Sequence, residues 1–323
     1  VDFLSNEWQE LFKHAVKEAE RLGIAITLGI GPGWTGSGGP WVPGKQSMQH
    51  LVSTSVNISG GNKEPIKLPV PPPMKPYFGE GAFTPELKKR WNDFYEDVAV
   101  LAYPTPSINK KIDDIDEKAL YYRAPYSSVK GVKQYLPSHG VYEQLPAGAI
   151  IAKSKIINLT GKLKVDGTLN WTPPPGNWTV MRFGARNNGA VTRPAPIPGV
   201  GFESDKFDTV ALYNHLDNYV GRLMRKTGKP AYKTEGGLKR LHMDSWEMGS
   251  QNWTAHFRQE FIKRRGYDPL PFYPVYAGAI VQSLEISERF LWDLRQTSQE
   301  LVLEYHAAAV KRYGHKNGLK LSI

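Results

Sequence analysis

The sequence predicts an α/β protein: part of a (β/α)8 barrel of the TIM type with an inserted β-rich, sandwich-like segment. Apolar residues at helical spacing over residues 6–22 lead into a nearly continuous apolar run at residues 24–30, which is typical of a helix followed by a buried parallel strand. The same alternation of helices and strands returns over residues 187–323. Because these units supply too few strands to close a barrel of eight, we expect only part of a barrel here.

Changes in sequence texture divide the chain into three parts. We expect residues 1–48 to form the first part of the barrel and residues 187–323 to continue it. The intervening residues 49–186 alternate polar and apolar positions and contain Pro- and Gly-rich turns, which indicates a β-rich insertion. The strand-like run at residues 319–323 has no following turn, so we expect an excerpt from a longer protein whose barrel continues beyond it.

The helices are indicated by their caps, their stops and apolar residues at helical spacing. Ser5 can cap the first helix, and Gly23 ends it. Asp208 can cap a later helix that Gly228 closes. The other predicted helices cover residues 85–94, 255–265 and 287–313.

The strands are short runs of apolar or alternating residues between turn residues. In the returning α/β part, the strand predicted at residues 241–247 ends in carboxylate and indole side chains and leads into a helix, as the catalytic strands of barrel enzymes do. The other predicted strands cover residues 24–30, 51–58, 97–103, 149–152, 154–158, 178–183 and 319–323.

Composition argues against several classes of function. The 323 residues contain 41 Lys and Arg against 31 Asp and Glu, a formal charge of +10 that suggests a nucleic-acid partner. The basic residues are scattered, however, so we interpret them as a solvated surface and expect no nucleic-acid binding. The chain has no Cys, and no apolar run approaches the ~18 residues of a membrane span. Nine Trp and 11% aromatic residues suit a sugar-binding cleft.

A Gly-rich loop that carries Trp34 and Trp41 follows the first predicted strand. Gly31, Gly33 and Gly36 satisfy the G-x-G-x-x-G pattern of dinucleotide-binding loops. Prolines stand where the phosphate-binding helix would begin, and no acidic residue ends a second strand about 20 residues later, so we interpret the match as accidental. We expect the loop to face a substrate; the alternative is a tight connection, which Gly and Pro also produce.

Glu247 is the candidate general acid of a glycosidase. It follows a strand and lies between Trp246 and Met248, whose apolar surfaces would partly exclude water. The alternative is a Glu that caps the next helix or pairs with an Arg. Asp244 lies three residues earlier, on the opposite face of a regular strand, where it could orient Glu247, bind a metal or accept a sugar hydroxyl. A buried Asp that only fixes its own loop is the alternative.

Glu203 and Asp205 form a second pair of carboxylates, between a loop and the start of a helix. Two carboxylates at this spacing suit a hard, oxygen-liganded cation such as Ca²⁺. They also suit dipole matching at a helix N-terminus, which needs no ligand. The eight His show no metal-ligand spacing, and we interpret them as structural or surface residues.

Several distinct sequence blocks follow one another along nearly all of the chain. They are Gly31-Pro-Gly-Trp34, Ser37-Gly-Gly-Pro-Trp41, Gln46-Ser-Met-Gln49, Trp178-Thr-Val-Met-Arg-Phe-Gly184, Gly201-Phe-Glu-Ser-Asp-Lys206, Asp244-Ser-Trp-Glu247, Gln251-Asn-Trp253, Phe257-Arg258, Arg265-Gly-Tyr-Asp-Pro-Leu-Pro271 and Phe290-Leu-Trp-Asp-Leu-Arg295. Together, these blocks resemble glycoside hydrolase family 106, the α-L-rhamnosidases.

The resemblance implies an inverting, Ca²⁺-assisted hydrolase that releases terminal α-L-rhamnosyl residues from plant polysaccharides or glycosides. The expected partner is therefore a rhamnose-containing oligosaccharide or glycoside. The resemblance also implies a bacterial protein that is periplasmic or extracellular. Glu247 would be the general acid. The family's base is another Glu, expected on a later strand beyond residue 323, so this chain alone is expected to be inactive.

The predicted substrate contacts are aromatic and amide side chains of the two loops: Trp34, Trp41, Trp246, Gln251, Asn252 and Trp253. The same residues fit an alternative from another class, a non-catalytic carbohydrate-binding protein with a Trp-rich sugar platform.

Overall fold

The protein is described here by a computed structural model that covers residues 1–122, 141–230 and 234–323. The strands in these ranges are β1 Ala25–Gly29, β2 Gly38–Gly39, β3 Gln49–Ser59, β4 Ile66–Lys67, β5 Glu96–Pro104, β6 Ile157–Asn158, β7 Thr168–Leu169, β8 Asn177–Asn187, β9 Phe202–Glu203, β10 Gly237–His242 and β11 Lys320–Ser322. The α-helices are α1 Asn6–Leu22, α2 Pro85–Asp93, α3 Ile115–Lys118, α4 Thr209–Leu216, α5 Arg222–Thr227, α6 Phe257–Arg265, α7 Leu284–Leu301 and α8 Ala308–Lys316.

Besides six 3-10 turns of three residues each, the described chain has three longer non-α helical segments. Two π-helices join consecutive α-helices: Asp217–Gly221 lies between α4 and α5, and Val302–Ala307 lies between α7 and α8. Leu270–Ala277 forms a 3-10 helix after α6. Throughout the described part of the chain, every helix is too short or too polar to cross a lipid bilayer.

Three parallel strands, in the order β1, β10 and β11, form one sheet. The central strand β10 pairs with β1 up to Gly29 and with β11 up to Ser322. One face packs against α1, α4, α5 and α8 in an apolar core that includes Leu28 and Leu241. Because the strands are parallel, the loops that follow β1 and β10 leave the sheet at the same edge.

A second sheet is antiparallel and has the strand order β3, β8, β5 and β6. Its central strand β8 is 11 residues long and almost wholly buried, because both of its faces are covered. Phe183 points into a core shared with Phe290 of α7. The opposite face packs against the two-stranded sheet formed by β4 and β7, through residues such as Ile66 and Leu169.

Local sequence signals locate several elements correctly. The Ser5 hydroxyl accepts a hydrogen bond from the backbone N–H of Trp8 at 3.1 Å, and Gly23 ends α1 at φ 72°. The predicted helix at residues 85–94 and the long predicted strands of the insertion are present. The strands predicted at 149–152 and 154–158 are mostly wrong, because these residues form 3-10 turns and contribute only β6.

The first strand is less buried than its apolar sequence predicts. Ala25 and Thr27 are exposed, and Leu28 is the buried residue of β1. These alternate positions face the side of the sheet that the described helices leave uncovered. Within the described residues, only one face of β1 is covered, and burial of its other face stays a prediction.

The strand predicted at residues 241–247 ends earlier, at His242. Its pairing partner β1 also ends there, since Gly29 lies opposite His242. Residues 243–247 therefore lie in a loop.

The mixed α/β class is confirmed by these sheets and helices. The three parallel strands do not close a barrel within the described ranges, so the (β/α)8 barrel with its inserted sandwich stays a prediction. The three-part division at residues 1–48, 49–186 and 187–323 also stays a prediction. Residues 123–140 of the expected insertion and residues 231–233 of the last part lie outside the described residues.

Candidate active site

A cavity of about 230 Å³ opens where the loops after β1 and β10 meet. Residues 29–34 and Gly36 form one side, and His242 and Asp244 form the other. The arrangement follows from parallel pairing, since Gly29 lies opposite His242 at the ends of the two strands. The structure thus brings the Gly-rich loop, with Trp34, next to one of the predicted carboxylates.

The Gly-rich loop is packed too tightly for side chains at its glycines, of which Gly36 and Gly38 are two examples. Gly36 has φ 135°, and a Cβ there would lie 2.7 Å from Cε of Met248. A Cβ at Gly38 would lie 2.4 Å from the carbonyl oxygen of Phe202. The loop continues into β2 rather than a helix, so the phosphate-binding helix of a dinucleotide site is missing from this position.

Ser245 links the two candidate catalytic carboxylates. Its backbone N–H donates to Oδ1 of Asp244 at 2.7 Å, and its hydroxyl donates to Oε1 of Glu247 at 3.1 Å. The two carboxylates therefore share one short turn, and their expected placement on opposite faces of a regular strand is wrong because the strand has already ended. Glu247 is exposed, so Trp246 and Met248 do not shield it as expected.

Glu203 lies beneath the Gly-rich loop and is fully buried with Lys206. Nζ of Lys206 lies 2.8 Å from Oε2 of Glu203 and also donates to the carbonyl oxygen and the hydroxyl of Ser37, at 3.1 and 3.0 Å. Oε1 of Glu203 accepts a hydrogen bond from the Thr35 hydroxyl at 2.6 Å. Both oxygens of this carboxylate thus have partners from the chain itself.

Asp205 has a separate set of partners. Its Oδ1 accepts hydrogen bonds from the side chain of Gln251 and from the backbone N–H of Phe207. Burial raises the pKa of Asp205 to about 6, and hydrogen bonds from Thr254 and Gln251 act in the opposite direction. The carboxylate therefore fixes the loop at residues 251–254 against the start of α4.

The Ca²⁺ site predicted at Glu203 and Asp205 does not fit this arrangement. Ca²⁺ takes roughly six to eight oxygen ligands. Here the two carboxylates bind different side chains, and an ammonium group already neutralises Glu203. Within the described ranges, no group of three or more His, Asp or Glu is placed to hold a metal ion.

The predicted substrate contacts separate into exposed and buried residues. Trp34 is 62% exposed beside the cavity, and its position permits stacking on a sugar. Trp246 is half-buried, and its indole N–H donates to the carbonyl oxygen of Gly249. Trp41 donates from Nε1 to Nδ1 of His215 at 3.1 Å and stacks on Tyr219, so it packs in the core rather than facing a substrate.

Gln251, Asn252 and Trp253 are all buried and serve packing. The Asn252 side chain accepts from the backbone N–H of Leu51 and donates to the carbonyl oxygen of Ala119, each at 2.8 Å. Trp253 is only 4% exposed, within the core on one face of β8. The substrate contacts predicted for Asn252 and Trp253 do not agree with this placement, whereas Gln251 lines a second cavity of about 310 Å³ together with Trp246.

His215 is a buried residue that sequence reasoning did not single out. Since the Trp41 indole is only a donor, Nδ1 of His215 must accept, and Nε2–H then donates to the carbonyl oxygen of Ile30 at 2.6 Å. The imidazole is therefore neutral, and it fixes the start of the Gly-rich loop. Burial lowers the pKa of His215 from 6.5 to about 4.

We expect this histidine to make the fold less stable in acid. The unfolded chain binds the proton below about pH 6.5 and the folded chain only near pH 4, so the contribution is complete above pH 6.5 and is lost as the pH falls toward 4. The loss is at most about 3 kcal/mol. His215→Gln keeps a hydrogen-bond donor and an acceptor. It should reduce the change of the unfolding free energy, measured in urea, between pH 6.5 and 4. His14→Gln, at an exposed position of α1, should leave this change as it is in the wild type. If the unfolding free energy of His215→Gln depended on pH as that of the wild type does, the assignment of His215 as the cause would be contradicted.

Comparisons with known proteins place the chain among the glycoside hydrolases. The sequence profile of the alpha-L-rhamnosidases, glycoside hydrolase family 106, matches residues 1–322. The chain belongs to this family, as its ordered sequence blocks predict.

Two relatives extend the comparison. A protein of Formosa agariphila, provisionally named a beta-glucuronidase, is 36% identical over 323 residues, which are 100% of this chain and 25% of that protein. The structure of a rhamnosidase from Novosphingobium sp. PP1Y is similar, with a TM-score of 0.77 and 25% identity over 99% of this chain and 41% of that one. The chain thus spans well under half the length of both relatives.

Two parts of the site were missed from the sequence. His242 lines the cavity, and its position two residues before Asp244, on the same face of an extended strand, was a usable signal. Lys206 is the second, since it appears above only as the last residue of a sequence block. The spacing of three between Glu203 and Lys206 is visible in the sequence, but nothing local indicates that both are buried.

Proposed function

We propose that the chain is part of an inverting hydrolase of terminal α-L-rhamnosides, with Glu247 as the general acid and Asp244 beside it. The proposal includes the (β/α)8 barrel, a Glu base on a strand outside this chain, and a periplasmic or extracellular substrate from plant polysaccharides or glycosides. In an inverting enzyme the base activates water from the opposite side of the sugar, at ~6.5–9.5 Å from the acid. Family membership and the turn that joins the two carboxylates support these roles.

The residues that line the cavity are the observation on which the proposed substrate rests. Among the described residues that form it, none is Lys or Arg, and Asp244 is its one carboxylate. A glucuronide carries a carboxylate of its own, which normally requires a cationic partner and would be repelled by Asp244. A neutral deoxysugar meets no such cost, and the exposed indole of Trp34 suits its apolar face.

Glucuronide cleavage is the second candidate, because the Formosa agariphila relative carries that name. An assay of the full-length protein on aryl α-L-rhamnoside and aryl β-D-glucuronide separates the two. We expect turnover of the rhamnoside only, with the β-anomer of rhamnose as the first product seen by proton NMR. Turnover of the glucuronide alone would overturn the proposal. Binding without turnover of either would favour a carbohydrate-binding protein.

A further inference from the structure

The ammonium group of Lys206 is the best-satisfied buried cation in the described chain. It is 0% exposed, and its three N–H donors have three acceptors: Oε2 of Glu203 and two oxygens of Ser37, at 2.8 to 3.1 Å. Burial lowers the pKa of this ammonium, and the Glu203 carboxylate acts in the opposite direction. Breaking such a pair leaves a buried, unpaired charge, which is strongly destabilising.

The same pair is connected to the sugar-facing loop. The Thr35 hydroxyl donates to Glu203 and accepts from the backbone N–H of Arg193 at 3.0 Å. The backbone N–H groups of Trp34 and Thr35 both donate to the carbonyl oxygen of Arg193, at 3.0 and 3.2 Å. Glu203 and Lys206 therefore hold Thr35 and Ser37 of the loop directly, and Thr35 shares the backbone of Arg193 with Trp34.

The histidines near Lys206 do not supply a positive charge to Glu203. His215 and His306 are buried, and the pKa of each is lowered, chiefly by burial and further by the charge of Lys206. Both imidazoles therefore stay neutral and supply no cation to Glu203.

We propose that Lys206 is a positioning residue of the sugar-binding loop and acts as its resident cation, in the place where a divalent metal ion would otherwise neutralise Glu203. The surroundings fit an ammonium group, with one carboxylate and two neutral oxygens at hydrogen-bonding distance. Ca²⁺ would require roughly twice as many oxygens, at about 2.3–2.6 Å. That the loop binds the sugar rests on the proposed function, whereas the anchoring itself does not.

Hydrogen exchange followed by mass spectrometry tests the anchoring without any substrate. In the full-length wild-type protein, exchange in the peptide covering residues 31–40 should be the same in EDTA and in CaCl₂. Lys206→Met should speed exchange there by roughly tenfold or more, and CaCl₂ should not reverse it. Lys88→Met is the matched control, because Lys88 also lies 2.8 Å from a carboxylate, that of Glu80, but about half exposed. It should leave this peptide unchanged.

Two outcomes would overturn the proposal. The first is faster exchange of residues 31–40 in EDTA that CaCl₂ restores, since a metal ion would then be the anchor. The second is a Lys206→Met protein whose loop exchanges like the wild type. If Lys206→Met does not fold, the double variant with Glu203→Gln removes both charges and should fold, and the wild-type EDTA experiment still decides.

The steady-state constants report on the positioning role. A displaced loop should raise KM for an aryl rhamnoside more than it lowers kcat, because the loop contacts the sugar and not the scissile bond. The double variant with Glu203→Gln should recover part of the affinity. Equal loss in both single and double variants would indicate general destabilisation and contradict positioning. Inactivity of the wild type would instead concern the proposed function and leave the exchange result valid.

Discussion

Glu247→Gln is expected to lower kcat for α-L-rhamnosides with poor leaving groups by about 10²- to 10⁴-fold in the full-length enzyme, with little change in substrate binding. The amide keeps an oxygen that can accept the hydrogen bond from Ser245, so the turn should be preserved. What it loses is the proton that the leaving oxygen needs. Glu247 is exposed, so the substitution should not disturb the core.

The dependence on leaving group makes this test specific. A dinitrophenyl rhamnoside needs little protonation, so its hydrolysis should fall much less than that of an alkyl rhamnoside. Glu235→Gln is a suitable control, because Glu235 is also exposed but precedes β10 at the opposite end of the strand. Equal losses with both leaving groups would remove Glu247 from the acid role.

Trp253→Ala is expected to reduce the free energy of unfolding by about 3–5 kcal/mol, the usual range for removing a large buried aromatic side chain. The indole is 4% exposed and contacts Phe257 and Tyr273, each at 5.8 Å between ring centroids. Trp253→Phe should recover much of the loss. Denaturant unfolding at constant pH measures both.

Trp34→Ala provides the contrast. Because Trp34 is 62% exposed, its removal should change the stability by no more than about 0.5 kcal/mol while weakening sugar binding. If Trp253→Ala left stability intact and abolished sugar binding, the substrate role predicted from sequence would be restored and the packing role rejected.

These two indoles show what the sequence could and could not provide. Both follow strands in polar loops, and nothing within a few residues distinguishes them. Burial of Trp253 results from contact with β8 and the 3-10 helix, which are distant in sequence. In contrast, the ends of α1 depend on Ser5 and Gly23 alone, so they were predicted to the residue.

The site shows the same division. Asp244 and Glu247 are candidates because acids that follow a barrel strand are a local signal. Their position relative to each other could not be predicted, because β10 ends with its pairing to β1, at Gly29, which is distant in the sequence. The spacing of Glu203 and Asp205 likewise reveals two carboxylates but not the burial of Lys206 with one of them, which is why the arrangement does not fit the predicted metal site.

The π-helix between α7 and α8 determines which residues of this continuous helix face inward. The part before it packs against one core and the part after it against another. Continued from Leu301 in steps of about 3.6 residues, the buried stripe would pass near Tyr305, Ala308 and Arg312. The structure instead buries His306, Ala309, Val310 and Tyr313. The π turn thus absorbs one extra residue: the inward face keeps its direction, and the buried positions move one residue later in the sequence.

This one-residue shift has a consequence for changes in chain length. Phe290 and Leu294 face the core beneath the antiparallel sheet, and Val310 and Tyr313 face the core beneath the strand that leads to Asp244. A single-residue deletion within Val302–Ala307 would therefore convert the π turn into an α turn and leave Val310 and Tyr313 facing this core. A further single-residue insertion would instead turn Val310 and Tyr313 away from the core, so this turn tolerates a shorter chain better than a longer one.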